Sequence, residues 1–418
     1  MNIFATVLLW FAYLTSLYFA IFWFLVFLSD DNKESRKKIT KFPMVTVAVP
    51  SYNEEKTIKP TLTSVLKLDY PREKLEIIAI NDGSRDKTLD KIKEVIAEYP
   101  GFDIKLINKK NGGKGAALNS ALRKAKGEFF VCMDADSFVK PNALRKMLPH
   151  FDADEKIAAV LPSLKVKNPK NMLQRMQWYE YIVNMYYKEL MSKLNCVHVA
   201  PGPFSVYRTG IIKRVGYFDA NHNLTEDLEM ALRLQSRQYR LVQLLNTDVL
   251  TIAPENLKQL YMQRNRWYKG AIINAIRYKF MMFNRKYGDF GIIQMPTIIL
   301  SGMIALIMIS SIIYYSIKPY VQYFYNMSFV NFDFMTFIRN FSYSFHILDL
   351  NYMTLFVAVA MLTISLVIFK KSHVSTRENI LKHGTPSLFF YIFLYFLVLG
   401  TMWIGIAFDL IRGKKQRW

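Results

Sequence analysis

Residues 3–28, IFATVLLWFAYLTSLYFAIFWFLVFL, contain no charged side chain over 26 positions. About 20 such residues cross a bilayer as a helix. In lipid, backbone polar groups must be satisfied within the segment, so this run folds as a helix or not at all. No basic stretch precedes it and no small-residue cleavage site follows. We therefore read a retained span rather than a removed signal. Three later apolar runs, 291–317, 353–369 and 386–410, are expected to span as well. The segment 318–352 is aromatic but carries Lys318, Asp333, Arg339 and Asp349, so it is not counted.

The stretch after the first run, SDDNKESRKKITK, holds five basic residues close to the span. The excess of Lys and Arg on cytoplasmic loops puts this side in the cytoplasm and the N-terminus outside. The chain is then a multi-pass protein of the plasma membrane with its soluble part in the cytoplasm. Four spans would leave the basic tail IRGKKQRW outside, against the same rule. Sequence alone leaves that conflict open.

Charged residues still make up 21% of the 418, so a sizeable soluble part must exist. Between Phe42 and about residue 250 the pattern alternates. VTVAVP (45–50), EIIAIND (76–82), DIKLIN (103–108) and FFVCMDAD (129–136) have the continuous apolar character of buried strands. Helical patterns lie between them, at 54–67, 86–98, 113–125 and 141–150. Alternation of this kind predicts an α/β domain with a mostly parallel sheet covered on both faces. Ligands of such sheets bind beyond the carboxyl ends of the strands. The two cysteines, Cys132 and Cys196, are too few for a disulfide framework and read as reduced structural thiols.

Each strand end is polar: PSYNEE (50–55), NDGSRDKT (81–88), NKKNGGKGAALN (108–119) and DADS (134–137). In DADS, Asp134 and Asp136 stand two apart, which on an extended chain turns both carboxylates to one side. Hard oxygen ligands that close suit Mg2+ or Mn2+; a solvated acidic turn is the alternative. GGKG lacks Walker A spacing, yet Lys114 can meet a phosphate as a point charge. Asp82 can accept hydrogen bonds from a base or ribose. Ser84 and Asp86 read better as caps of the next helix. In TED, Thr225 reads as a helix cap with Glu226 and Asp227 in the first turn.

After APEN, the stretch LKQLYMQRNRWYKGAIINAIRY has apolar residues at helical spacing. Gln263, Arg266 and Trp267 lie three and four apart and share a face. We expect helices lying at the membrane surface over 251–290. A second amphipathic stretch, 172–190, shows no chemistry of its own and is expected to be interfacial too.

Taken in order over residues 45–270, these motifs resemble the family 2 inverting glycosyltransferases with the GT-A fold. They resemble above all the membrane-embedded processive members: cellulose, chitin, hyaluronan and poly-N-acetylglucosamine synthases. The resemblance implies a GT-A-type, Rossmann-like domain. It implies that Tyr52, Glu54, Asp82, Lys114, Asp134 and Asp136 bind a UDP-sugar donor. Asp134 and Asp136 would hold Mg2+ or Mn2+, Asp136 the more directly. It implies catalysis by Asp227 as general base, with Glu226 beside it and Arg266 at the diphosphate. Gln263 and Trp267 would bind the acceptor, as would Gly202 and Arg208 of PGPFSVYR (201–208).

The implied activity is elongation of a β-linked polysaccharide from a UDP-hexose, UDP-N-acetylglucosamine first among them, coupled to movement across the membrane. The alternative is transfer of one sugar to a lipid such as a diacylglycerol, a ceramide or a polyprenyl phosphate. So few spans leave a polymer channel to a homo-oligomer or an accessory subunit. The formal net charge of +22 suits anionic lipid and phosphate-bearing substrates. Its spread over loops and helices argues against nucleic acid, which calls for basic and aromatic residues on one module.

Overall fold

A computed structural model of the protein describes residues 3–29, 39, 41–220, 224–329, 335 and 352–412. Most of the juxtamembrane basic stretch, most of 330–351 and the tail 413–418 lie outside the described residues, and with them the charges on which the orientation was read.

The soluble part follows α1 (Ile3–Leu28). Its first half is β1 (Val45–Ser51), α2 (Ile58–Leu66), β2 (Leu75–Asp82), α3 (Thr88–Glu98), β3 (Asp103–Lys109), α4 (Lys114–Lys124) and β4 (Phe129–Cys132). The second half is β5 (Ser137–Val139), α5 (Ala143–Met147), β6 (Ile157–Val166), α6 (Met172–Lys193), β7 (Ser205–Arg208), α7 (Thr209–Val215), α8 (Glu226–Ser236) and β8 (Arg240–Thr251). The eight strands among the described residues form one sheet in the order β3-β2-β1-β4-β7-β6-β8-β5. The pairs β1/β2, β2/β3, β1/β4 and β6/β8 are parallel; β4/β7, β6/β7 and β5/β8 are antiparallel. This is the mostly parallel GT-A-type sheet expected.

Every residue of β1 and β2 is buried. Helices cover both faces, so alternate side chains enter two cores. Val47, Val49, Ile77, Ala79 and Val131 point into one. Ala48, Ile78, Ile80, Phe130 and Tyr207 point into the other, against α4, α7 and α8. At the edge, β3 is only partly covered.

Two strand readings are corrected. β4 ends at Cys132, and Asp134–Asp136 form a turn rather than extended chain. Ser137 donates to the Asp134 carbonyl (3.2 Å) and Thr61 Oγ1 to the Ala135 carbonyl (2.8 Å), which draws the backbone out of the sheet. The strands β5–β8 add to the four expected; β6, IAAVLPSLKV, is as apolar and buried a run as β1, while the other three carry a weaker signal. β5 and β7 are three and four residues long, and β8 mixes Arg, Gln, Asn and Asp with its apolar positions.

Beyond β8 come α9 (Leu257–Arg277), a π-helical turn at Phe290–Gln294 and α10 (Met295–Ser328). Then follow the helices Tyr352–Ser375, Thr385–Phe393 and Tyr395–Ile411. Among the described residues, three helices are long and apolar enough to cross a membrane: Thr6–Leu28, Phe290–Ser328 and Leu355–Ser375. The pair Thr385–Phe393 and Tyr395–Ile411, bent by 43°, makes a fourth if it counts as one span. α10 continues past 317, where the sequence reading stopped, through Lys318 and Pro319 to Ser328. Its 34 residues rise about 51 Å at 1.5 Å per residue, more than a bilayer core of about 30 Å.

Candidate active site at the strand ends

The carboxyl ends of β1, β2 and β4 and the loop after β3 meet above the sheet. Asp82 closes β2 and is 3% exposed. It accepts from the Gly112 and Gly113 N–H groups (3.1 and 2.9 Å) and pairs with Lys109 (2.5 Å). Its carboxylate thereby shapes the glycine loop that opens α4. Gly83 follows at φ 75, where a Cβ would stand 2.6 Å from the Asn111 nitrogen. Asp86 accepts from the N–H groups of Thr88 (3.0 Å) and Glu55 (3.1 Å), so it ties the β1 and β2 loops together. Tyr52 is 42% exposed over this rim.

Lys114, the first residue of α4, reaches back to Asp134 (2.7 Å) and Glu226 (2.9 Å). Burial alone would lower its ammonium pKa. Asp134, Glu226 and Asp227 outweigh that and hold it well above the usual lysine range. Gly202 closes the cradle: a Cβ there would run into Lys114 Nζ and stand 2.5 Å from an Asp134 carboxylate oxygen. Burial, then Asp134 and Glu54, raise the Asp136 carboxyl to about 6. Burial, with Asp134 and Asp86 nearby, raises Glu54 despite its Thr57 hydrogen bond.

α8 brings Glu226 and Asp227 in from the other side. Burial and Glu226 raise Asp227 to about 6, while Lys114 and Arg266 act against the rise. Thr225 does not cap this helix. Its hydroxyl makes no cap hydrogen bond and instead accepts from Asn274 of α9 (3.1 Å). At the same contact Gly270 lets the two helices touch: a Cβ there would come within 2.6 Å of Thr225 Cγ2. Tyr278 donates to Glu229 (2.6 Å) one turn further on. Together these contacts hold Arg266 within electrostatic reach of Asp227.

The structure thus brings together Glu54, Lys114, Asp134, Asp136, Gly202, Glu226, Asp227 and Arg266. Gln263 of α9 lies beside Tyr181, and its buried Oε1 has no partner among the described residues. Trp267 is half-buried under the Arg264 guanidinium, 4.4 Å from ring centre to Cζ. Arg208 is the exception, and its expected acceptor role is corrected. β7 runs antiparallel to β4, so Ser205 lies opposite Cys132 and Arg208 opposite Phe129, at the far end of the strand from Asp134. There it donates to the Phe151 (2.6 Å) and Ile157 (3.0 Å) carbonyls and lies over the Phe129 and Phe151 rings.

α6 carries more than an apolar face. Burial lowers its Lys188 ammonium to about 8, and Asp227 is the charge that opposes this. Burial and Lys188 lower His198 to about 3; its Nδ1 lies 3.1 Å from Gln294 Nε2, in the π-helical turn before α10. No spacing in the sequence marks these residues, because α6, the loop that follows it and the turn before α10 meet only in the tertiary fold. Cys132 and Cys196 are buried and free.

Asp134 and Asp136 fit a divalent ion. Asp136 is crowded by two other carboxylates, a charge that such an ion would relieve. Among the described residues no group of three or more His, Cys, Asp or Glu could hold a metal. Mg2+ and Mn2+ sites that use one or two carboxylates complete their shells with substrate phosphate and water.

The sheet and the helices that cover it have the GT-A-type fold. Residues 46–216 match the Glycosyl transferase family 2 model. It is 32% identical over 240 residues to a poly-beta-1,6-N-acetyl-D-glucosamine synthase of Staphylococcus aureus (strain COL), 57% of each chain. To the synthase of that name from Staphylococcus epidermidis it is 33% identical over 223 residues, 52% of each. The match therefore spans little more than half the length of these relatives. A mannosyltransferase from Pyrobaculum calidifontis, in complex with GDP-Man and Mn2+, shares the fold over 98% of this chain and 99% of its own, at TM-score 0.61 and 20% identity.

Proposed function

We propose that the protein is a membrane-embedded, inverting glycosyltransferase. It takes a UDP-hexose, UDP-N-acetylglucosamine in the first instance, and extends a β-linked polysaccharide that passes through the membrane. The observation that carries this reading is the meeting of Asp227 on α8 with Arg266 on α9, beside the Lys114–Asp134–Glu226 cluster. Of the carboxylates in this site, a single displacement needs one as base, the part read for Asp227, and none as nucleophile. The names of the staphylococcal relatives support the sugar and the polymer.

In this mechanism Asp227 accepts the proton of an acceptor hydroxyl as its oxygen attacks the anomeric carbon. The bond from that carbon to the UDP oxygen breaks with inversion. Lys114 and Arg266 offset the charge that develops on the diphosphate. Asp134 and Asp136 would hold Mg2+ or Mn2+, whose contribution is to neutralise that leaving group. Tyr52, Glu54 and Asp82 form the donor rim. Gln263 and Trp267 present the acceptor, Gln263 through its unpartnered buried oxygen. Apolar helices before and after the domain in sequence support a membrane-embedded protein, and the basic residues that follow α1 support a cytoplasmic catalytic part.

The test is direct. The protein in nanodiscs is given a panel of radiolabelled UDP-sugars with Mg2+ or Mn2+, and the product is sized. High-molecular-weight material from one donor is the expected result. A single small, organic-extractable product would overturn polymer synthesis in favour of lipid glycosylation.

A further inference from the structure

Arg264 lies inside the QRNRW stretch but belongs to none of the roles above. It is 2% exposed, an unusual place for a guanidinium. Its Nη2 is 2.6 Å from Glu180 Oε2 on α6. The same carboxylate oxygen accepts from the Tyr395 hydroxyl at 2.7 Å. Tyr395 is the first residue after the 43° break in the last pair of membrane helices. Three residues on from Arg264, and therefore on the same helix face, Trp267 lies beneath its guanidinium at 4.4 Å.

A buried ion pair is a poor source of stability, because desolvating both partners cancels most of the attraction. It is a good source of orientation: a planar guanidinium bonded at its edge to a carboxylate has a fixed plane and can stack face-on against a ring. Here the clamp joins three separate elements: α6 through Glu180, α9 through Arg264, and the bend between membrane helices through Tyr395. One face of the Trp267 ring is covered by the guanidinium, and the side chain remains only half-buried.

We propose that Arg264 is the positioning residue of the acceptor platform: clamped by Glu180 and Tyr395, its guanidinium holds the Trp267 ring for the sugar and ties it to the bend in the last membrane helices. This rests on the reading of Trp267 as the acceptor-stacking residue. Two consequences follow. Loosening the clamp weakens hold on the acceptor and not on the donor, and its effect depends on Trp267 being present.

The experiment compares Arg264→Lys, Tyr395→Phe, Trp267→Ala and the double variant Arg264→Lys/Trp267→Ala in nanodiscs, reading product length and UDP affinity. Lys keeps the charge beside Glu180 but lacks the planar stack. Arg264→Lys is expected to shorten the product at least threefold, with UDP affinity within twofold of wild type. Tyr395→Phe is expected to shorten it less, and the double variant no more than Trp267→Ala alone. Wild-type length in Arg264→Lys beside shortened product in Trp267→Ala overturns this proposal and leaves the acceptor reading standing. So does shortening that adds fully to that of Trp267→Ala. Wild-type length in Trp267→Ala removes both. Should Arg264→Lys lose UDP binding through misfolding, Tyr395→Phe, which deletes one hydroxyl, decides in the same way.

Discussion

Asp227 works against the stability of the fold that holds it. Its pKa is raised from the usual carboxylate value of about 4 to about 6 by burial and Glu226, so the folded state binds its proton more tightly than the unfolded chain does. Stability is therefore lost as pH rises through that range and the group ionises. Asp227→Asn removes the ionised form. Its thermal midpoint at pH 7.5 is expected to equal or exceed wild type, while sugar transfer falls by about 100-fold or more and UDP affinity stays within a few-fold. Calorimetric UDP titration and a transfer assay check this, and appreciable activity in the variant would strip Asp227 of its role as base. The same shift sets the acid limb of the rate profile. A base must be ionised, so kcat/KM is expected to fall below about pH 6, with Glu226, Lys114, Arg266 and Lys188 as the charged groups around it. A profile flat from pH 7 to 5 would contradict the assignment.

At the scale of elements, the two stretches TED and QRNRWYKG meet because Gly270 has no side chain. α8 and α9 touch at Thr225 and Gly270, with Asn274 bonded to the Thr225 hydroxyl. Gly270→Ala places a methyl within 2.6 Å of Thr225 Cγ2 and must push the helices apart. Overpacking of this kind costs about 1–3 kcal/mol, and displacing reacting groups by about 1 Å can cost about 100-fold in rate. We expect Gly270→Ala to lower kcat at least tenfold with donor affinity nearly unchanged. Gly270→Ala/Thr225→Ala should recover part of the loss. Equal kcat in Gly270→Ala and wild type would show that this contact does not set the spacing of Asp227 and Arg266.

Across the whole molecule, the soluble and membrane parts are joined through polar contacts rather than apolar packing alone. Lys165 of β6 donates to the Thr376 carbonyl and pairs with Glu378 and Asp248, each at 3.0 Å. Tyr179 of α6 donates to the Ile380 carbonyl (2.7 Å). On α9, Asn265 (2.8 Å) and Lys269 (3.1 Å) hold Asp409 of the last helix, and Tyr268 stacks on Trp403 with centroids 4.4 Å apart. A carboxylate within a membrane helix is costly unless paired, so its partners locate the seam between the two parts. Trp403→Ala removes one half of the stack. The thermal midpoint in detergent is expected to fall by about 2–4 °C and polymer yield to fall with it. An unchanged midpoint and yield would show that the seam does not depend on this pair.

Much of this was legible in the residues. Uncharged runs name membrane helices because lipid leaves an exposed backbone no alternative. Continuous apolar strands name a sheet covered on both faces, and polar strand ends name the rim where a ligand binds. Asp134, Asp136, Lys114 and Asp227 could be picked out by type and local spacing. Spacing could not say which end of a strand a side chain occupies once the chain reverses, so Arg208 was assigned to the site although β7 carries it to the opposite end. Nor could it show that Thr225 turns to α9 instead of capping α8, or that Glu180, Arg264 and Tyr395 form one clamp. Local chemistry is written in neighbours along the chain. Contacts between helices distant in sequence depend on how the cores pack, and packing decided those.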